Sequence, residues 1–143
     1  MNYSKKGDIL LLLALSILLS ILPVTALAAD ETLIDEAALL TEGMLSGLSQ
    51  NDYEKFSEHF NKNMKANMSE DVFTAAQTAI TEKIGDYISK EFVGREDKGQ
   101  FAVMQYRAAF TFEQDVVVTT VFSEENGKLL VAGFWLDSPK LRQ

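Results

Sequence analysis

Gln100-Phe101-Ala102-Val103-Met104-Gln105-Tyr106-Arg107-Ala108-Ala109-Phe110-Thr111-Phe112 decides how the rest of this chain must be read. Its even positions, Ala102, Met104, Tyr106, Ala108, Phe110 and Phe112, are apolar or aromatic. Its odd positions, Phe101, Val103, Gln105, Arg107, Ala109 and Thr111, are mixed. A period of two is that of a strand, whose successive side chains point to opposite faces. The same pattern predicts three more strands between Asp86 and Leu136. One runs from Tyr87 to about Arg95, with Glu96-Asp97-Lys98-Gly99 as a hairpin loop. Another covers Val116 to Ser123, entered by a turn at Glu113-Gln114-Asp115. The last follows Asn126-Gly127, the pair favoured in a type I′ hairpin, and ends near Leu136. Gly133 inside it signals a bulge or a close backbone approach. Hairpin links imply an antiparallel meander.

Upstream the period lengthens to that of a helix. Leu33, Ala37, Leu40, Met44 and Leu48 predict a helix from about Thr32 to Ser49, with Thr32 and Asp35 resembling a capping box. Gly43 and Gly47 leave room for another backbone. Asp52 caps a short second helix whose stripe is Tyr53, Phe56 and Phe60. Asn61 to Met68 is polar and reads as a loop. Ser69 caps a third helix with Val72, Phe73, Ala76, Ile80 and Ile84 on its apolar face, stopped by Gly85. Asn67-Met68-Ser69 also fits a glycosylation acceptor, but a cap explains Ser69 better. The expected class is therefore α+β, a cone of three N-terminal helices packed on a curved four-stranded antiparallel sheet.

The N-terminus follows another logic. Lys5 and Lys6 precede the apolar run Ile9 to Leu22, then Pro23 and the small residues Ala26-Leu27-Ala28-Ala29. That is a secretory signal pattern, with cleavage expected after Ala28. The alternative is an uncleaved membrane anchor. The expected organisation is a signal peptide over 1–28, one domain over 29–139 and a tail over 140–143, with the domain secreted or extracytoplasmic.

The chain has 13 basic and 21 acidic residues and no cysteine. Without cysteine there are no disulfides, thiolate metal sites or cysteine nucleophiles. A net charge of −8 with no basic stripe argues against nucleic acid. The face opposite the helices carries Val103, Val117, Val121, Val131 and Trp135, too apolar for a solvated surface, and this predicts a homodimer through the sheet or a partner domain.

Leu48-Ser49-Gln50-Asn51-Asp52-Tyr53-Glu54-Lys55-Phe56 with Phe60, then Ile84-Gly85-Asp86-Tyr87, the Tyr106 to Phe112 strand, and Asn126-Gly127-Lys128 with Val131-Ala132-Gly133-Phe134 before Pro139 together resemble the exported proteins grouped as domain of unknown function 3887. That group is similar to the nuclear-transport-factor-2-like superfamily, a cystatin-like α+β roll shared with ketosteroid isomerase and the SnoaL-like polyketide cyclases. The resemblance implies a sheet wrapped round a long helix with a pocket at the open end, and dimerisation through sheets. It carries over no chemistry.

The residues themselves offer no catalytic signature. There is no G-x-S-x-G, H-E-x-x-H, P-loop or Ca²⁺ loop. His59, the single histidine, lacks a visible carboxylate partner and reads as a surface residue. Arg107 and Glu91 read as a cross-strand pair on the outer face. Tyr53, Phe56, Tyr87, Met104, Tyr106 and Phe134 are the candidate pocket residues, with no catalytic residue, metal or cofactor assigned. The leading reading is an exported, non-enzymatic domain binding a small apolar ligand or a partner protein. Its alternatives are an isomerase- or hydrolase-like enzyme using a carboxylate such as Asp86 or Asp115, and a structural dimerisation module.

Overall fold

The structure is a computed structural model, and it describes residues 30–143. The expected signal peptide lies outside the described residues. The chain divides into two compact units, Met1–Asp35 and Glu36–Gln143. In the first unit the described residues, 30–35, are helical. Thr32 therefore lies within a helix and does not cap one. Among the described residues no helix is long and apolar enough to cross a membrane.

The second unit is α+β, with four helical segments followed by a curved antiparallel sheet. Its first helix, α1 (residues 36–50), buries Ala37, Thr41, Met44, Leu45 and Leu48 along one stripe. It ends at Asn51, which takes a left-handed φ of 54°, a conformation Asn tolerates at a helix end. Gly47 is needed because a Cβ there would lie 2.6 Å from the Phe56 backbone nitrogen. Gly43 has nothing within 4 Å and plays no such part.

Helix α2 (Tyr53–Ser57) is capped by Asp52, whose carboxylate accepts from the Lys55 N–H. The stretch expected to be a loop contains α3 (Lys62–Asn67), capped by Asn61 Oδ1 accepting from Met64 N–H at 2.8 Å. With α4 (Glu70–Ile84) this makes four helices where three were expected. A six-residue helix with one buried side chain, Met64, shows no periodicity to read. Ser69 caps α4 and Gly85, at φ 80°, ends it. Val72, expected on the buried face, is exposed.

The strands are β1 (Tyr87–Lys98), β2 (Phe101–Phe110), β3 (Glu113–Glu125) and β4 (Lys128–Asp137), paired in sequence order. The first hairpin is tighter than expected: Lys98 pairs with Phe101, so Glu96 to Lys98 belong to β1. The second turns at Thr111-Phe112, and Phe112 is exposed where alternation placed it inside. Asn126 and Gly127 both have positive φ, as a type I′ turn requires.

Bulges rewrite the alternation at both edge strands. On β4, Phe122 pairs with Val131 and Val121 with Gly133, leaving Ala132 as the extra residue. An extra residue reverses the facing of all that follow. Leu129 and Val131 point inward before it; Phe134 and Leu136, opposite the buried Thr120 and Val118, point inward after it. Gly133 and Trp135 thus face outward, and a Cβ on Gly133 would lie 2.8 Å from the Trp135 ring. Both readings of Gly133, bulge and close approach, hold. On β1, shifts at Ile88 and Val93 bring Tyr87, Lys90, Phe92 and Arg95 opposite the inward-facing Phe110, Ala108, Tyr106 and Met104.

Candidate functional site

Two contrasting sites form on the concave side of the sheet. The first is an apolar pocket of about 260 Å³. Its walls come from α1 (Leu48), α2 (Phe56), Met68, α4 (Phe73, Ala76, Ile80), β4 (Phe134, Trp135, Leu136) and the tail (Leu141). Helix α4 makes it. The helix is anchored at its start by Phe73, 4.8 Å from the Phe56 ring and 5.6 Å from Tyr53. At its end Ile84 is buried and its carbonyl accepts from Phe112 N–H at 2.9 Å. Between these anchors stand Ala76 and Ile80, and the small Ala76 leaves the space unfilled.

The Ala132 bulge supplies the opposite wall by turning Phe134 and Leu136 inward. The middle of β4 is held by Asn61 N–H to Val131 O (2.8 Å) and Val131 N–H to His59 O (2.7 Å), a parallel bridge on its free edge. His59 contributes here through its backbone. Its side chain is half exposed with Glu58 3.7 Å away.

The second site is polar and lies between β1 and α1. Glu42 Oε2 accepts from Tyr87 Oη at 2.7 Å and from Lys90 Nζ at 2.9 Å. Lys90 is largely buried, and its ammonium stands 5.4 Å from the Tyr106 ring centroid. Thr41 and Thr120, both buried, share a 3.3 Å hydroxyl contact. The Tyr106 hydroxyl is buried with the Thr41 side chain near it, but no hydrogen bond of normal geometry reaches it among the described residues.

Burial pushes the Glu42 carboxyl up, but hydrogen bonds from Tyr87 and Lys90 and the charges of Lys90 and Lys55 outweigh it. The group ionises below the ordinary glutamate range. Burial first, then the Glu42 bond and charge, push the Tyr87 phenol far above its usual range. Tyr106 is likewise raised by burial, with partial relief from Thr41. A carboxylate already ionised and paired, with its pKa moved away from neutrality, is a weak proton acceptor.

Of the residues singled out from sequence, Phe56 and Phe134 meet in the pocket, their rings 5.8 Å apart. Tyr53 stands behind the wall, its ring tilted at 52° to that of Phe73 and its hydroxyl donating to Met68 O at 2.7 Å. Tyr87 and Tyr106 belong to the polar site, and Met104 is core. Val103, Val117, Val121 and Trp135 face outward. Val131 does not: it is 0 % exposed, because the bulge separates its facing from that of Trp135. Arg107 and Glu91 are register partners, as expected, but the Arg107 ion contact is with exposed Asp115 at 3.7 Å. Asp86 and Asp115 are both exposed. Among the described residues no cluster of three or more His, Asp or Glu could hold a metal ion. Glu42, Lys90 and Leu141 had not been singled out, and Ala76 only as part of a helix's apolar face. The inward turn of Lys90 depends on the β1 bulges, which alternation alone hides.

The family described as "Protein of unknown function (DUF3887)" matches residues 42–134. The chain belongs to that family. The DUF3887 match begins at Glu42 of the polar site and ends at Phe134 of the pocket wall, spanning the helices, the meander and the Ala132 bulge. No curated protein matches the chain.

Proposed function

We propose that this DUF3887 domain is exported and binds a small apolar molecule in the pocket beneath α4, without converting it. The observation that carries the reading is the lining: all ten pocket residues have apolar side chains, and none brings a carboxylate, imidazole or hydroxyl nucleophile. Pockets that bind by shape and desolvation look like this, whereas catalysis needs polar groups aimed at a reacting atom. Export is supported by the Lys5-Lys6, apolar-run and Ala26-Leu27-Ala28 pattern. The curved antiparallel sheet with helices across one face supports placing the family among the nuclear-transport-factor-2-like folds.

Native mass spectrometry of the purified chain, with calorimetric titration of naphthalene as a neutral probe, tests it. Retained small-molecule mass, or saturable naphthalene binding abolished by Ala76→Phe, is the expected result. A bare protein that naphthalene does not occupy sinks the reading.

A second reading has its own observation. Val117 and Trp135 are 42 % and 59 % exposed on the outward face, next to Val103 and Val121. This supports an interface there between two copies of the chain. Sedimentation velocity of Trp135→Ser against the parent tests it, with the parent expected as dimer and the variant as monomer.

A further inference from the structure

We infer that Met68 is an oxidation site built into the wall of the pocket, and that its conversion to the sulfoxide by a peroxide releases the apolar ligand. This rests on the apolar-pocket reading above and adds a means of regulation to it.

Access singles the residue out. Met44, Met64 and Met104 belong to the core, with exposures of 2 %, 8 % and 0 %. Met68 is half-buried and lines the pocket. Among the described residues it is thus the methionine whose sulfur an oxidant entering the pocket reaches first.

The backbone holds Met68 at the wall from both sides. It ends α3, with its N–H donating to Met64 O at 2.9 Å, and the next residue, Ser69, caps α4. Its carbonyl accepts from the Tyr53 hydroxyl at 2.7 Å, and the Tyr53 ring packs on Phe73, the anchor of α4. Only the side-chain torsions are left to accommodate a change at sulfur.

In the reaction the peroxide O–O bond breaks. The Met68 sulfur gives up an electron pair and gains one oxygen, and the other oxygen of hydrogen peroxide leaves as water. The thioether is oxidised, the peroxide is reduced, and an apolar side chain becomes a polar, chiral one. Its new oxygen is a strong acceptor in a wall that offers almost no donor. The Trp135 indole N–H is the single side-chain donor among the ten lining residues. An acceptor without a donor is costly in a dry space, so the sulfoxide draws water into the pocket or turns out to solvent. Both outcomes remove wall that an apolar ligand needs. Enzymatic reduction of the sulfoxide restores the thioether, so the change is reversible.

The test treats the full chain with limiting hydrogen peroxide at neutral pH. Peptide mass spectrometry locates the sulfoxide, and calorimetric titration of naphthalene reads the pocket. Met68 is expected to be oxidised before Met44, Met64 and Met104, with naphthalene affinity falling about tenfold in step with it. Treatment with methionine sulfoxide reductases for both epimers should recover the affinity, which separates the effect from damage to the fold. Met68→Leu, whatever its starting affinity, should keep that affinity through the same peroxide exposure. Oxidation elsewhere before Met68, oxidised Met68 with binding unmoved, or an equal fall in Met68→Leu overturns the switch and leaves the apolar pocket standing. An untreated parent that does not bind naphthalene overturns both.

Discussion

On the β4 side of the concave face, Phe134 and Leu136 look across an empty space at Phe56, Phe73 and Leu141. On the β1 side, Tyr87, Lys90 and Tyr106 meet Thr41 and Glu42 of α1 with every charge answered. Both sides owe their residues to bulges, at Ala132 in one and at Ile88 and Val93 in the other. The difference lies in what the bulges turn inward. Apolar groups need no partner and leave a void when the helix above is too small to fill it. Polar groups must find partners or remain unpaired at a cost. A ligand pocket and a structural lock can thus arise on one sheet by the same backbone device.

The most severe way to break the contrast is to remove the bulge. Deleting Ala132 and Gly133 together puts Phe134 directly after the inward-facing Val131, which turns Phe134 and Leu136 to the outside and brings Trp135 in. The cost is expected to exceed about 4 kcal/mol, with the loss of the Phe56–Phe134 edge contact included. Chemical denaturation should show a molecule that no longer unfolds cooperatively at ambient temperature. A stable variant lacking both Ala132 and Gly133 would mean that the inward facing of Phe134 and Leu136 does not hold this side of the core.

Next in size is Phe73→Ala. Its side chain is 1 % exposed and touches the rings of Tyr53 and Phe56, so truncation should cost about 3–5 kcal/mol and enlarge the pocket. A cost below about 1 kcal/mol, read from the urea midpoint, would show that α4 is anchored elsewhere.

Much of this was legible and part was not, for reasons that follow the same contrast. The switch from helical to two-residue period, the Asp52 and Ser69 caps, the Gly85 stop and the Asn126-Gly127 turn are local signals, and local physics governs them. Phe56 and Phe134 were legible as pocket residues because an aromatic residue on a buried face has few other fates. Val131 was misplaced because one extra residue changes the facing of all that follow, and only Gly133 hints at where. Lys90 turns inward for the same reason, through the shifts at Ile88 and Val93. Ala76 was legible as part of the third helix's apolar face but not as a pocket residue, since its role there is to be smaller than the space available.

The polar side gives a smaller effect, carried by pH. Glu42 ionises below its ordinary value in the folded chain, the net result of burial opposed by Tyr87 and Lys90. Its contribution is present above the unfolded value near 4.5 and fades as pH falls through the lower folded one. Tyr87 acts at the other end. Its raised folded value means that the unfolded chain ionises first, so stability drops once pH rises past about 10. Tyr87→Phe should cost about 1 kcal/mol at neutral pH, an amount reduced by the half-exposed setting of Glu42, and should flatten the alkaline loss. Identical stability-against-pH curves for parent and variant would remove Glu42–Tyr87 from the account.

The smallest effect carries the opposite sign. Tyr106 is 1 % exposed, and its hydroxyl, with the Thr41 side chain near it and Lys90 over its ring, makes no hydrogen bond of normal geometry among the described residues. A buried donor without an acceptor costs free energy, so deleting it without changing shape is a gain. Tyr106→Phe should therefore leave the fold unchanged and raise stability by up to about 1 kcal/mol, read from the urea midpoint at neutral pH. On the β4 side no substitution that only removes polarity could do this, because no polar side chain lines it. A loss of more than about 1 kcal/mol would instead mean that the hydroxyl is satisfied in solution, by a buried water or by a polar atom of the ligand. The two sides of the sheet would then be halves of one site.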